Sequence, residues 1–264
     1  MPNFWRVVNR VIQEAEVLLI LLDARMVIES RNKEIEDKVK KLEKPLIYVI
    51  TKADLVEDKK EVEKYKKEFQ PCVFVSAIKY HGTTILREKI LIEAKRHNIE
   101  TVPINVGVLG YPNVGKSSLI NAMSGRGTAS TSMMSGHTKG VQKIKGDNRI
   151  MFLDTPGVIP YKEKESQKHS VIGSVDFTKV KDPDMAVMSL MEQFPGKVEE
   201  YYKVKVRKNF EAVIEEIAIK RSIVKKGNIP DIDRVSRTIL KDWQTGRITQ
   251  QPDLGPGWIF KAPK

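Results

Sequence analysis

Residues Gly110-Tyr111-Pro112-Asn113-Val114-Gly115-Lys116-Ser117 spell G-x-x-x-x-G-K-[ST]. An apolar run, Ile104–Leu109, precedes them, and Ser118-Leu119-Ile120 opens a helical pattern after them. Such a chain must end a strand in a tight loop and start a helix on that loop, because only then do successive backbone N–H groups converge on one anion. In that geometry the loop residues Val114, Gly115, Lys116, Ser117 and Ser118 wrap phosphates. The Lys116 ammonium neutralises β/γ charge, and the Ser117 hydroxyl is placed for Mg2+.

The flanking sequence predicts the fold class. Val17–Leu22, Leu46–Ile50, Val73–Val75 and Ile104–Leu109 are short continuous apolar runs. Helical patterns lie between them and before the first: 3–14 with Asn3 as a cap, a charged helix through Ile35, Val39 and Leu42, then 57–69 and Thr84–His97. Runs that do not alternate read as strands covered on both faces. Strand, loop and helix in repetition predict an α/β domain with a mostly parallel sheet and helices on both faces. Gln142–Lys145 and Ile150–Leu153, around Gly146-Asp147-Asn148, read as a hairpin. Beyond about residue 160 the runs give way to helical spacing. Asp182 before Pro183 predicts a helix start. Phe210, Val213, Ile214 and Ile217 share one face, and Asp231 caps a helix with Val235, Ile239, Leu240 and Trp243 inward. The C-terminal part is therefore expected to be all-α.

Composition narrows the class further. The 264 residues are 41% hydrophobic, which is enough for a packed core and excludes disorder as the main state. No run approaches the ~18 apolar residues of a membrane span. The single cysteine, Cys72, excludes an internal disulfide and a cysteine zinc cluster. With no secretory pattern at the N-terminus, a cytoplasmic setting and a monomer are the expectation. Lys and Arg number 46 against 34 Asp and Glu, a net charge of +12 spread over both parts of the chain. That balance favours a polyanion such as RNA as partner.

Further motifs surround the phosphate loop. Asp154-Thr155-Pro156-Gly157 follows the hairpin; Asp154 can hold Mg2+ through water, and the Gly157 N–H can reach a γ-phosphate. In the small-residue stretch Gly125–Gly140, Thr138 is the candidate third metal ligand, while His137 reads as a loop residue. Thr51-Lys52-Ala53-Asp54 ends a strand. The Asp54 carboxylate can accept both N1–H and N2–H of guanine, the Lys52 stem can cover the base, and adenine would leave Asp54 unpaired. Ser76-Ala77 ends the next strand and can offer the Ala77 N–H to the guanine O6.

Together these residues resemble the five motifs of Ras-like GTPases, with the guanine motifs at 51–54 and 76–77 placed ahead of the phosphate motifs at 110–157. That order resembles the circularly permuted GTPases. Asp23-Ala24-Arg25 and the C-terminal Leu240-Lys241-Asp242-Trp243-Gln244 are similar to the YlqF/RbgA ribosome-assembly group. The resemblance implies a permuted GTPase domain over 1–162, a linker over 163–180, a helical RNA-binding domain over 181–249 and a loose tail over 250–264. It implies GTP/GDP as ligand, with Lys116, Thr138 and Gly157 in the catalytic roles, and ribosomal RNA or a pre-ribosomal particle, chiefly of the large subunit, as partner. Asn113 resembles the loop asparagine of potassium-dependent members and is the candidate K+ ligand. Two departures stand out: Thr51 occupies the usual asparagine position, with less reach toward the phosphate loop, and Val158 follows D-x-x-G where a water-orienting glutamine is common. Val158 implies slow turnover that a partner stimulates. The alternative is an RNA-binding protein in which guanine nucleotide is a structural ligand without turnover.

Overall fold

The computed structural model describes residues 3–56, 59–125, 141–157 and 175–248. They fall in two compact units, each described by itself.

The N-terminal unit is a six-stranded sheet in the order β3-β2-β1-β4-β6-β5. Its strands are β1 (Val17–Asp23), β2 (Leu46–Thr51), β3 (Cys72–Phe74), β4 (Ile104–Gly110), β5 (Gln142–Lys145) and β6 (Ile150–Asp154). All pairings are parallel except β5 with β6, the expected hairpin. In the hairpin turn the Asp147 carboxylate accepts the N–H groups of Arg149 (2.7 Å) and Ile150 (2.9 Å). Helices α1 (Asn3–Glu14), α2 (Lys33–Lys41), α3 (Lys59–Glu68), α4 (Thr83–Arg96) and α5 (Lys116–Ser124) complete the unit. Asn3, expected as a cap, lies within α1 instead.

Every residue of β1 is buried, as an unbroken run of apolar side chains in the middle of a parallel sheet requires. Trp5, Val8, Val11 and Ile12 form the buried face of α1 and share a core with Leu18, Ile20 and Leu22 of β1. Gly107 of β4 makes this packing possible. A Cβ there would lie 2.8 Å from Leu18 Cδ2 and 2.9 Å from both Ala15 Cβ and Val11 Cγ1.

The C-terminal unit holds α6 (Pro183–Gln193), α7 (Lys197–Tyr202), α8 (Phe210–Lys220) and α9 (Ile232–Gln244), with a small hairpin of β7 (Val224–Lys225) and β8 (Ile229–Pro230). The sequence reading missed α7 and the hairpin, which are too short to show a period. Asp231 caps α9 by accepting the Arg234 N–H at 3.2 Å. Asp182 stands at the cap of α6 but makes no side-chain cap bond, so Pro183 in the first turn carries that start. Trp243 is fully buried and its ring lies 4.7 Å from that of Phe194, so it belongs to the core. Asp242, also buried, accepts the Tyr202 hydroxyl at 2.7 Å and Arg247 at 3.1 Å. Residues 175–180, read with the linker in sequence, hydrogen-bond to this unit: Arg237 donates to the Phe177 carbonyl (2.8 Å) and Gln244 to that of Val175 (3.1 Å). The rest of the linker and the tail, with Trp258 and Phe260, lies outside the described residues. Among the described residues no helix is long and apolar enough to cross a membrane.

The Gly107 contact yields a prediction. Gly107→Ala forces a methyl group into a filled space, and the expected loss is about 1–3 kcal/mol of stability. Urea unfolding of both proteins measures it; equal midpoints would refute the packing role.

Candidate functional site

Parallel pairing fixes where the motifs meet. Strands β1, β2, β3, β4 and β6 run the same way, so their C-terminal ends form one edge of the sheet. Asp23, Thr51, Ser76, Gly110 and Asp154 all lie at or just beyond those ends. Side chains more than a hundred positions apart in sequence are thereby gathered on one edge.

On the phosphate side, β4 runs into the loop and α5 begins at Lys116. Gly115 caps α5 at φ 104°, a conformation that a side chain would strain. Asn113 sits half-buried in the loop at φ 58°. Val114 is buried, and Ser118 is exposed in the first turn of α5. The Lys116 ammonium donates to the carbonyls of Tyr111 (2.6 Å) and Gly110 (3.2 Å). Burial pushes its pKa down to about 8, with the Asp154 charge opposing the shift. The Ser117 hydroxyl donates to Asp154 Oδ2 at 3.3 Å. Burial raises the Asp154 pKa, partly offset by Lys116 and Ser117. Its other oxygen, Oδ1, is buried without a hydrogen-bond partner among the described residues. A hydroxyl beside an orphaned carboxylate oxygen is a hard donor set that fits Mg2+.

Gly157 closes on this loop. A Cβ there would lie 2.4 Å from the Pro112 N and Cα and 2.9 Å from Lys116 Nζ, so only glycine brings this backbone so near the phosphate site. Thr155 anchors the segment from behind by donating to the Val108 carbonyl at 2.7 Å. Thr138 and His137, and also Val158, lie outside the described residues.

On the base side, the Thr51 hydroxyl lies 2.6 Å from the Val114 carbonyl and 2.9 Å from that of Leu22, and its single proton serves one of them at a time. The threonine thus reaches the phosphate loop at its Val114 carbonyl. Lys52 takes a left-handed conformation (φ 54°) and starts a turn over Ala53–Leu55 that holds Asp54 half-buried. The Ala53 N–H donates to the Val75 carbonyl at 3.2 Å, which ties this turn to the end of β3. Ser76 is buried; its backbone bridges to His81 and its hydroxyl accepts the Lys79 N–H at 3.2 Å. Ala77 stays half-exposed beside it.

The sequence reading used Asp23-Ala24-Arg25 only as a resemblance and missed what it builds. Asp23 is paired with Arg25 Nη2 and with Lys52 Nζ, both at 2.8 Å. Burial alone would raise its pKa; the Arg25 and Lys52 charges outweigh burial and hold the carboxyl well below the usual range. The available signal was an acid and an arginine closing an apolar run, a costly arrangement unless the two pair.

Edge, loop and order of motifs define a circularly permuted P-loop GTPase fold. Comparison with known proteins agrees. Residues 105–226 match the family described as 50S ribosome-binding GTPase, a match that begins at β4 and so leaves the guanine motifs ahead of it. The chain is 39% identical over 248 residues to an uncharacterized GTP-binding protein of Methanocaldococcus jannaschii, covering 92% of this chain and 65% of that one. It is 31% identical to nucleolar GTP-binding protein 2 of Neurospora crassa over 99% of this chain and 42% of the relative. The chain thus spans less than two thirds of the length of these relatives. Its fold matches GNP-bound YlqF of T. maritima with a TM-score of 0.66 at 20% identity, over 93% of this chain and 94% of that one. The chain thus shares the circularly permuted fold of YlqF, and the relatives it is similar to in sequence are GTP-binding proteins.

The buried ion cluster makes a pH prediction. A carboxyl whose folded pKa is depressed stabilises the protein above its unfolded pKa of about 3.9, and that contribution is lost as pH falls below it. Asp23→Asn is expected to be about 3–5 kcal/mol less stable at neutral pH, because it strands two cations in the interior. The gap should narrow as the pH drops below about 4. Unfolding curves of both proteins across pH check this; a gap that stays constant in acid would contradict it.

Proposed function

We propose that this chain binds GTP and GDP, hydrolyses GTP slowly, and acts on ribosomal RNA or pre-ribosomal particles, chiefly of the large subunit. The Thr51–Val114 contact carries the reading, because it links a guanine-type motif directly to a phosphate loop on one sheet edge. Lys116 and the N–H groups at the start of α5 hold the phosphates. Ser117 and Asp154 would hold Mg2+, with Thr138 as a further ligand; the ion supplies neutralisation of the β/γ charge that develops in phosphoryl transfer. Gly157 offers its N–H to the γ-phosphate. Asp54 reads the guanine edge, Lys52 covers the base, and Ser76 positions Ala77 for O6. Asn113 is the candidate K+ ligand at the phosphates. The ribosomal part rests on the described family, on the relative named for the nucleolus and on the basic charge of the chain.

Base choice tests the first half. Asp54→Asn keeps the size of the side chain but exchanges one acceptor for a donor. GTP affinity is expected to fall about a hundredfold, since buried guanine donors lose a partner. Xanthosine triphosphate, whose C2 carbonyl accepts from the new amide, should gain. Competition binding measures both; unchanged GTP affinity, or a wild type that prefers ATP, would defeat the assignment.

Turnover tests the second half. GTP hydrolysis is measured in K+ and in Na+ buffers, with and without purified large ribosomal subunits, using Lys116→Ala as the blank. The expected result is slow hydrolysis alone, acceleration by the subunit, and a faster rate in K+. Tight nucleotide binding with no turnover under any of these conditions would favour the structural-ligand reading.

A further inference from the structure

Asp23 and Arg25, at and just beyond the C-terminal end of β1, have no role in nucleotide binding as described so far. Asp23 is 1% exposed. Its Oδ1 accepts the Arg25 backbone N–H and the Arg25 Nε–H, both at 3.0 Å. Its Oδ2 accepts from Arg25 Nη2 and pairs with Lys52 Nζ, both at 2.8 Å. The backbone is fixed as well. The Asp23 N–H donates to Ser30 Oγ at 3.0 Å, and the Ala24 N–H donates to the Thr51 carbonyl at 2.9 Å.

One carboxylate therefore serves two cations, and the two do different things. Arg25 binds it with a planar two-point fork, which sets the plane of the carboxylate and leaves it no freedom to turn. Lys52 is a flexible stem ending in a point charge, and its ammonium is held at the one oxygen position that remains. The left-handed backbone at Lys52 fixes the other end of the stem. A lysine held at both ends presents its methylene stem as a rigid apolar surface. A ligand that packs on it then meets a surface already ordered, so less freedom is lost on binding.

We propose that Asp23 is a positioning residue for the guanine nucleotide: by clamping the Lys52 ammonium in a buried cluster with Arg25, it fixes the Lys52 stem as the wall against which the base packs. This deepens the guanine-nucleotide reading and rests on it. In this role Asp23 acts through Lys52. Base packing is common to both nucleotide states, so its effect falls equally on GTP and GDP and leaves the hydrolytic step alone.

A double-mutant cycle with N-methylanthraniloyl-GDP as the probe tests this, each variant being read below its own unfolding transition. Asp23→Asn is expected to bind about tenfold more weakly, through faster dissociation, with GTP weakened to the same extent. The rate of GTP hydrolysis at saturation should not change. Lys52→Met should weaken binding, and adding Asp23→Asn to it should weaken binding no further, because the group that Asp23 positions is already gone. Losses that multiply in the double variant, or an Asp23→Asn protein that binds as the wild type does, would overturn the role.

If Asp23→Asn fails to fold, Arg25→Gln examines the same link. It removes the guanidinium and leaves the carboxylate to Lys52 and the backbone N–H of position 25, so thermal stability falls while affinity stays within about twofold of the wild type. An affinity loss as large as that of Lys52→Met would overturn the assignment of the clamp to Asp23, because the Asp23–Lys52 pair is still present in that variant. A wild type that does not bind the probe would overturn the guanine reading and this role together, whereas multiplying losses on a binding wild type would overturn this role alone.

Discussion

Complete burial of β1 is the constraint on which the N-terminal unit depends. A strand that is apolar from Val17 to Leu22 must be covered on both faces and paired on both edges. Parallel neighbours β2 and β4 satisfy the edges, and helices that return the chain satisfy the faces. Once the strands run parallel, every loop that follows a strand leaves from the same edge. The chemistry of that edge then follows from which residues close each run: Asp23 after β1's leucines, Thr51 at the end of β2, Gly110 at the end of β4 and Asp154 at the end of β6.

The permuted order costs the fold little, because contacts rather than chain order hold the halves together. The connection from α4 to β4, which that order requires, is fastened by one side chain. Glu16, just ahead of β1, accepts the Asn105 N–H at 2.7 Å and the Thr101 hydroxyl. On the far side, Arg87 of α4 pairs with Asp147 in the hairpin turn and donates to the Met123 carbonyl of α5 at 2.8 Å. At the functional edge, Thr51 closes the same seam against Val114. Three side chains, Glu16, Arg87 and Thr51, thus join the base-reading part to the phosphate-binding part, and each holds one backbone group there: the Asn105 N–H, the Met123 carbonyl and the Val114 carbonyl.

Most of this was legible in the sequence, for physical reasons that differ by element. Strands in the middle of the sheet announce themselves as unbroken apolar runs, so β1, β2 and β4 were read to within a residue or two. The phosphate loop was legible because its glycines and lysine answer a demand that few other structures make. What stayed hidden depends on distance in space. A threonine at position 51 reads as a short substitute for asparagine until the Val114 carbonyl is found 2.6 Å away. Asp23 and Lys52 are 29 positions apart in sequence, yet β1 and β2 bring their side chains within 2.8 Å. In the helical unit, α7 and the β7–β8 hairpin escaped because two or six residues carry no period.

The helical unit also shows why basic charge and ion pairing do not conflict. Several of its cations are engaged: Arg207 with Glu216, Arg237 with Asp233, Arg247 with Asp242 and Lys225 with Asp231. Their side chains range from 27% to 64% exposed, so water already screens these pairs. An exposed pair of this kind contributes about 0–1 kcal/mol. A phosphate that displaces the carboxylate gives up little and also releases counterions from the polyanion. Pairing at the surface therefore does not withdraw these cations from an anionic partner. The exception is Arg247, whose partner Asp242 is buried and also bonded to Tyr202. Removing that guanidinium would leave a buried carboxylate short of a partner, so Arg247 is expected to stay with the fold while its exposed neighbours remain available to a polyanion.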